Sequence, residues 1–246
     1  VKVDVIGDIH GCREELLELI EKLGYREEGG LFRHPEGRQL AFVGDAADRG
    51  PDSIGVLRLL FSMQDAGMLS YSPGNHCNKL YRFFKGNNVQ ITHGLETTIA
   101  EWRGLPETEQ EAFRKRYKRF YEALPVYQTF EDRLIVAHAG IRENMIGQPL
   151  SKKIISFVLY GDVTGDFLPD GRPVRRDWAK HYSGERWIVY GHTPVEQPYF
   201  RNRTVNIDTG CVFGGALSAF RYPEEEILSV PSRQPFEPDR FHRYHP

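Results

Sequence analysis

The chain has 246 residues, 32 basic against 34 acidic side chains, a formal net charge of -2 and 40% hydrophobic residues. Such a composition belongs to a globular protein long enough to bury a sizeable core, and it excludes the fibrous, disordered and membrane-embedded classes. The near balance of charge offers no field to gather a polyanion, so no nucleic-acid polymer is expected as a partner.

Three cysteines, Cys12, Cys77 and Cys211, lie too far apart for a disulfide scaffold or a compact thiolate zinc site, which suits a reducing compartment. No window approaches about 18 continuous apolar residues, so no membrane span is expected and the cytoplasm is the expected location. The chain begins on Val1 rather than Met, as a processed or trimmed chain would.

In chain order, Val3 to Ile6 predicts a short buried strand that runs into Gly7-Asp8-Ile9-His10-Gly11. Arg13 to Leu23 carries Leu16, Leu17, Ile20 and Leu23 on one helical stripe, and Gly24 ends it. Gly29-Gly30 and Pro35-Glu36-Gly37 punctuate a hairpin. The plan then repeats, with Gln39 to Val43 as strand, Gly44 to Pro51 as loop and Asp52 to Ala66 as a helix capped by Asp52 or Ser53. A third strand near Leu69 to Ser72 delivers Pro73-Gly74-Asn75-His76.

A helical excursion follows at about 80–124. It contains a helix near Glu96 to Arg103 and a charged one from Glu107 to Tyr121, with Phe113, Tyr117, Phe120 and Tyr121 on its apolar side. This excursion is expected to form a cap inserted in a single domain of residues 1–246. Strands resume at Arg133 to Ala137, Trp187 to Tyr190 and Thr204 to Ile207. Asp166 to Arg176 reads as a Pro/Gly-rich loop, and the chain from Pro231 onward as an irregular surface segment.

Five short pieces place a carboxylate, amide or imidazole beside glycine at the end of a hydrophobic strand. They contain Asp8 and His10, Asp45 with Asp48 and Arg49, Asn75 and His76, His138, and His192. Ligands gather beyond the carboxyl ends of strands in open α/β sheets. Singly, each piece reads as well as a turn, a surface ion pair or a satisfied core histidine. Together they present more polar groups than core pairing can absorb, because burying an unpaired Asp or His is costly.

Two divalent transition-metal ions resolve that cost. Asp8 and His10 approach one ion, Asp45 has two oxygens to bridge a pair, Asn75 adds a neutral oxygen, and His138 and His192 complete the second site. The mixture of oxygen and nitrogen donors suits manganese, iron, nickel, cobalt or zinc better than calcium, and manganese or nickel is the expected metal. Cysteine-nucleophile chemistry is not expected, because the sixth residues after Cys12, Cys77 and Cys211 are Glu18, Phe83 and Leu217, where a phosphate loop needs arginine.

The joint pattern Asp8-x-His10, Gly44-Asp45-x-x-Asp48-Arg49, Gly74-Asn75-His76, His138 and Gly191-His192 resembles the calcineurin-like metallophosphoesterases, especially their Ser/Thr-phosphatase-like branch. That resemblance implies an α/β fold of the αββα type, with two mixed β-sheets flanked by helices. It implies one ion on Asp8, His10 and Asp45 and a second on Asp45, Asn75, His138 and His192. It also implies His76 as general acid, oriented by Asp48. Cys77 departs from the glutamate that many members carry after Asn-His.

Further segments, Pro73 to Arg82, Val158 to Gly165, Arg175-Arg176-Asp177-Trp178 and Asn206 to Gly214, look like a bacterial branch acting on dinucleoside polyphosphates. The implied reaction is asymmetric cleavage of diadenosine tetraphosphate to ATP and AMP. The alternative is a phosphoprotein or phosphopeptide phosphatase acting on phosphotyrosine with the same metals. Arg49 suits a phosphate clamp because guanidinium matches two phosphate oxygens. Arg175 or Arg176 is expected to add a second clamp, and Lys79 and Arg82 to meet outer phosphates. Nothing in the sequence sets an oligomeric state.

Overall fold

The computed structural model describes residues 1–244. Strands β1 (Val3–Ile6), β2 (Arg26–Glu28), β3 (Leu31–Arg33), β4 (Gln39–Phe42) and β5 (Ser70–Tyr71) are interleaved with helices α1 (Arg13–Lys22) and α2 (Ser53–Asp65). Helices α3 (Asn75–Phe84), α4 (Leu95–Arg103) and α5 (Glu107–Glu122) come next, then β6 (Gln128–Phe130), β7 (Leu134–Val136) and α6 (Lys152–Tyr160). The last elements are β8 (Val163–Phe167), β9 (Pro173–Arg175), β10 (Trp187–Tyr190), β11 (Tyr199–Arg201), β12 (Thr204–Asn206), β13 (Ala216–Tyr222) and β14 (Glu226–Pro231).

Two five-stranded mixed sheets result, ordered β14-β13-β1-β4-β5 and β11-β12-β10-β7-β6. At the centre of the first, β1 pairs in parallel with β4 (Val5 opposite Ala41) and antiparallel with β13 (Val5 opposite Phe220). In the second, β10 runs parallel to both β7 and β12. The strand period of two sorts the side chains. Val3, Val5, Ala41, Val136, Val189, Val205 and Phe220 meet between the sheets. Ile6 and Phe42 face the other way, onto α1, α2 and the α3–α5 group, while Ile135 and Ile188 face α6. The layers are therefore helix, sheet, sheet, helix, the expected αββα order. Burying each such aliphatic or aromatic side chain stabilises by about 1.5–3 kcal/mol.

Helix α2 starts as its sequence predicts, with the Asp52 side chain accepting from Gly55 N at 2.8 Å. Leu80, Phe84, Leu95, Ile99, Phe113, Tyr117 and Phe120 from the helical excursion lie in the same apolar cluster as Leu16, Leu57 and Leu60. Two segments differ from expectation. The Pro/Gly-rich stretch read as a loop contributes to the β8–β9 hairpin, in which Val163 pairs with Arg175. Past Pro231, the chain is tied down by Ser232 N to Gly215 O and Glu237 N to Phe213 O, both 2.9 Å, and it buries Phe241. No helix among the described residues is long and apolar enough to cross a membrane.

Candidate metal centre

Every one of the five predicted pieces reaches one pocket beyond the ends of β1, β4, β5, β7 and β10. The loop after β1 is pinned to the loop after β4, because Ile9 N and His10 N both donate to Asp45 O at 3.2 and 2.9 Å. His10 (φ 44°), Asp45 (48°), Asp48 (74°), Arg49 (71°) and His192 (73°) all adopt left-handed backbone, uncommon for residues with side chains. Two glycines make room for the carboxylates. A Cβ on Gly74 would lie 2.1 Å from Asp45 Oδ1, and one on Gly191 would lie 2.0 Å from Asp8 Oδ1.

The imidazoles are oriented from behind. Nδ1 of His10 lies 2.8 Å from Ala47 O and Nδ1 of His138 lies 3.0 Å from Val43 O. A carbonyl only accepts, so each Nδ1 carries the hydrogen and each Nε2 is the ring atom turned into the pocket. His138 Nε2 then stands 3.2 Å from Asp45 Oδ2, 3.1 Å from Asn75 Oδ1 and 3.1 Å from His192 Nδ1. Electron-rich atoms converging at such spacings match the edges of a coordination polyhedron, about 3.0–3.4 Å for ligands at about 2.1 Å from one ion. Among the described residues, His192 Nε2 is a buried side-chain atom without a hydrogen-bond partner.

The donor atoms form two groups that share one carboxylate: His10, Asp45 and His76, and Asp45, His138 and His192. Asp8 joins from the rear, its two oxygens accepting from His192 N at 3.2 and 3.3 Å. Burial, Asp208 and Asp45 push the Asp8 carboxyl well above the usual range. Burial pushes Asp208 up to about 7. Burial, then neighbouring His76, lowers His10 to about 4, and burial, His138 and Arg175 hold His192 well below its usual value. Against its own burial, Asp45 is kept ionised by His138 and His76. His138, also against burial, is pushed up to about 9 by Asp45. The proton on His138 occupies the electrostatic role a cation would fill. Crowded carboxyls beside neutral imidazoles fit a pair of divalent cations, which would relieve both strains.

At the mouth, His76 Nδ1 is 2.7 Å from Asp48 Oδ2. The other Asp48 oxygen accepts from Thr98 Oγ1 at 2.7 Å, and Asp48 N donates back to Thr98 Oγ1 at 2.9 Å and to Ser53 Oγ at 3.0 Å. Glu101 accepts from Ser53 N and Ile54 N at 3.0 and 2.9 Å. The Arg49 guanidinium lies 5.4 Å from the centre of the Phe213 ring, which Arg240 also covers at 5.1 Å. Arg175 is anchored by Nε to Tyr160 O at 2.8 Å and adds its charge to those lowering His192. Arg176 turns away to Asp162 at 3.4 Å. Lys79 and Arg82 lie on α3 beside His76. Cys77 is buried 3.2 Å from Tyr71 Oη, and its thiol is pushed up to about 12 by burial and Asp45, a poor nucleophile.

Sequence reasoning did not single out Thr98, Glu101, Asp208, Phe213 or Arg240. Asp208 follows β12 in a sixth loop of the same kind, so its signal was present. Thr98 and Arg240 carry none, since a threonine in an amphipathic helix and an arginine near the chain end are unremarkable.

A two-sheet sandwich with this donor-lined pocket at its strand ends defines a metal-dependent phosphohydrolase. The chain belongs to the calcineurin-like phosphoesterase family, whose pattern matches residues 1–206. It is 58% identical over 245 residues to the bis(5'-nucleosyl)-tetraphosphatase PrpE [asymmetrical] of a Geobacillus sp. (99% of this chain, 100% of that one). It is 56% identical over 245 residues to the protein of that name from Halalkalibacterium halodurans, covering 99% of each. Among solved structures, a cold-active protein-tyrosine phosphatase of a Shewanella sp. shares the fold with a TM-score of 0.59 at 21% identity, over 93% of this chain and 80% of that one.

Proposed function

We propose that this protein hydrolyses diadenosine tetraphosphate asymmetrically, to ATP and AMP, with two divalent transition-metal ions, manganese or nickel before iron, cobalt or zinc. The observation that carries the reading is full-length identity of 58% to a bis(5'-nucleosyl)-tetraphosphatase, together with an Asp45 carboxylate shared between two donor groups. Asp8, His10 and Asp45 would hold one ion, and Asp45, Asn75, His138 and His192 the other. When bound, such a pair supplies Lewis acidity toward phosphate oxygens and lowers the pKa of water.

The chain's own residues do the rest. Asp48, fixed by Thr98, engages Nδ1 of His76 and leaves its Nε2 to donate a proton to the departing oxygen. Arg49 clamps phosphate oxygens, its side chain steadied against Phe213. Arg175 is the second clamp, since Arg176 is engaged by Asp162. Lys79 and Arg82 receive the outer phosphates.

Incubating the metal-loaded protein with diadenosine tetraphosphate and resolving the nucleotides tests this reading. ATP plus AMP in equal amounts is expected. Two ADP, or a preference for phosphotyrosyl peptide over the dinucleotide, would overturn it. Asp45→Asn removes the shared charge and is expected to lower bound metal, measured by elemental analysis, and turnover by more than about 100-fold.

A further inference from the structure

A cavity of about 370 Å³ opens directly beside the metal centre, and it begins at His76. One wall is the exposed face of α3, and the other is formed by residues 88–90, Thr92, His93 and Tyr160. His76, Lys79 and Arg82 recur every three residues and so share that face. With a helical rise of 1.5 Å per residue, the two cations stand about 4.5 and 9 Å along the axis beyond the acid. Lys79 is held upright by the facing loop, donating to Thr92 O at 2.8 Å. Asn88 and Gln90 bring amides, and Tyr160 a partly exposed ring, to the same cavity.

From this arrangement we infer that the cavity takes the leaving group, and that the leaving group is the triphosphate half of the dinucleotide. The inference rests on the proposed function and deepens it by fixing which phosphorus is attacked. A group departing in line leaves toward the residue that protonates it, so it enters the cavity that starts at His76. Departing AMP would bring one phosphate and leave the second cation without an anion to meet. Departing ATP brings three phosphates, which run past Lys79 and Arg82 and place adenosine against Tyr160, Asn88 and Gln90. The volume lies within the range of small-ligand sites.

In the step, the oxygen of water bonds to the phosphorus next to one adenosine and releases its proton to solvent. The bond from that phosphorus to the bridging oxygen breaks, its electron pair stays with the triphosphate, and the His76 proton joins that oxygen. The products are AMP, carrying the oxygen of water, and ATP, carrying none of it.

Hydrolysis of diadenosine tetraphosphate by the manganese-loaded wild-type protein in 18O-water, with both nucleotides read by mass spectrometry, tests the assignment. Label in AMP is expected. Label in the terminal phosphate of ATP would overturn the direction of departure while leaving asymmetric hydrolysis standing. Two ADP would overturn both. Lys79→Ala and Arg82→Ala are each expected to lower kcat/KM for the dinucleotide about tenfold more than for p-nitrophenyl phosphate, whose leaving group has no phosphates. Equal losses on the two substrates would also count against the cavity as the triphosphate site.

Discussion

Asp48 is wholly buried, yet each of its polar atoms is matched: one oxygen to His76, the other to Thr98, and the amide to Thr98 and Ser53. Thr98 thereby sets the plane of the carboxylate from a helix remote in sequence. Thr98→Val keeps the volume while removing both bonds. It is expected to slow kcat about tenfold on substrates with poor leaving groups, and far less on p-nitrophenyl phosphate, with KM little changed. Equal slowing on both, measured by steady-state kinetics, would make Thr98 merely structural. At this scale the glycine-flanked donors were legible because a polar residue in a tight strand-end turn has few other uses. Thr98 was not, because its partner lies 50 residues away and only the packed fold joins them.

Elements carry the donors, and the junction between β5 and α3 is the tightest. Gly74 precedes α3 in extended conformation, with the Asp45 carboxylate pressed against it. Its conformation (φ -99°, ψ -178°) is open to any residue, so the requirement for glycine is spatial. Gly74→Ala is expected to displace Asp45 and weaken metal binding about tenfold or more by titration, while circular dichroism shows the helices retained. Retained affinity would mean the carboxylate yields without cost.

Strands and helices of the first half were legible from period and punctuation. Val3–Ile6 is found as expected, and α2 differs by a single residue at each end from the expected span. The β8–β9 hairpin was masked by its Gly and Pro. The β13–β14 hairpin carried no motif at all, although β13 pairs along the whole length of β1. Its place is decided by that pairing, a long-range choice that local pattern does not encode.

For the molecule as a whole, the pocket makes stability depend on ions and pH together. Without metal, Asp8 and Asp208 hold protons more tightly when folded than a free carboxyl near 4 does. The Asp208 contribution is full below the unfolded value and is lost as pH rises through about 7, and that of Asp8 is lost in the same direction. His138, raised to about 9, loses its contribution in the same direction as pH climbs from about 6.5. Asp45 is ionised throughout and adds no slope there. His10 and His192, lowered by burial, gain stability in the opposite direction as pH rises toward about 6.5 and then level off. The chelated protein is therefore expected to melt at a lower temperature at pH 8 than at pH 7. A fixed manganese concentration, about 100 times its dissociation constant at pH 7, restores about 2.7 kcal/mol there. That rescue, followed by thermal unfolding, should be larger at pH 8. A rescue independent of pH would show that the carboxyls do not titrate with the ion.

Five side-chain-bearing residues of one pocket hold backbone angles that glycine would adopt freely, each at a cost of about 1–2 kcal/mol for an ordinary L-residue and less for aspartate. Conformational preference and chemistry thus pull these positions in opposite directions. Selection for heat tolerance alone would drift toward glycine at His10, Asp45, Asp48, Arg49 and His192, and would arrive at a sturdier protein with nothing to grip an ion. Durability has to be sought instead in the buried apolar faces of the helical layers, where sturdiness and turnover do not compete for the same residues.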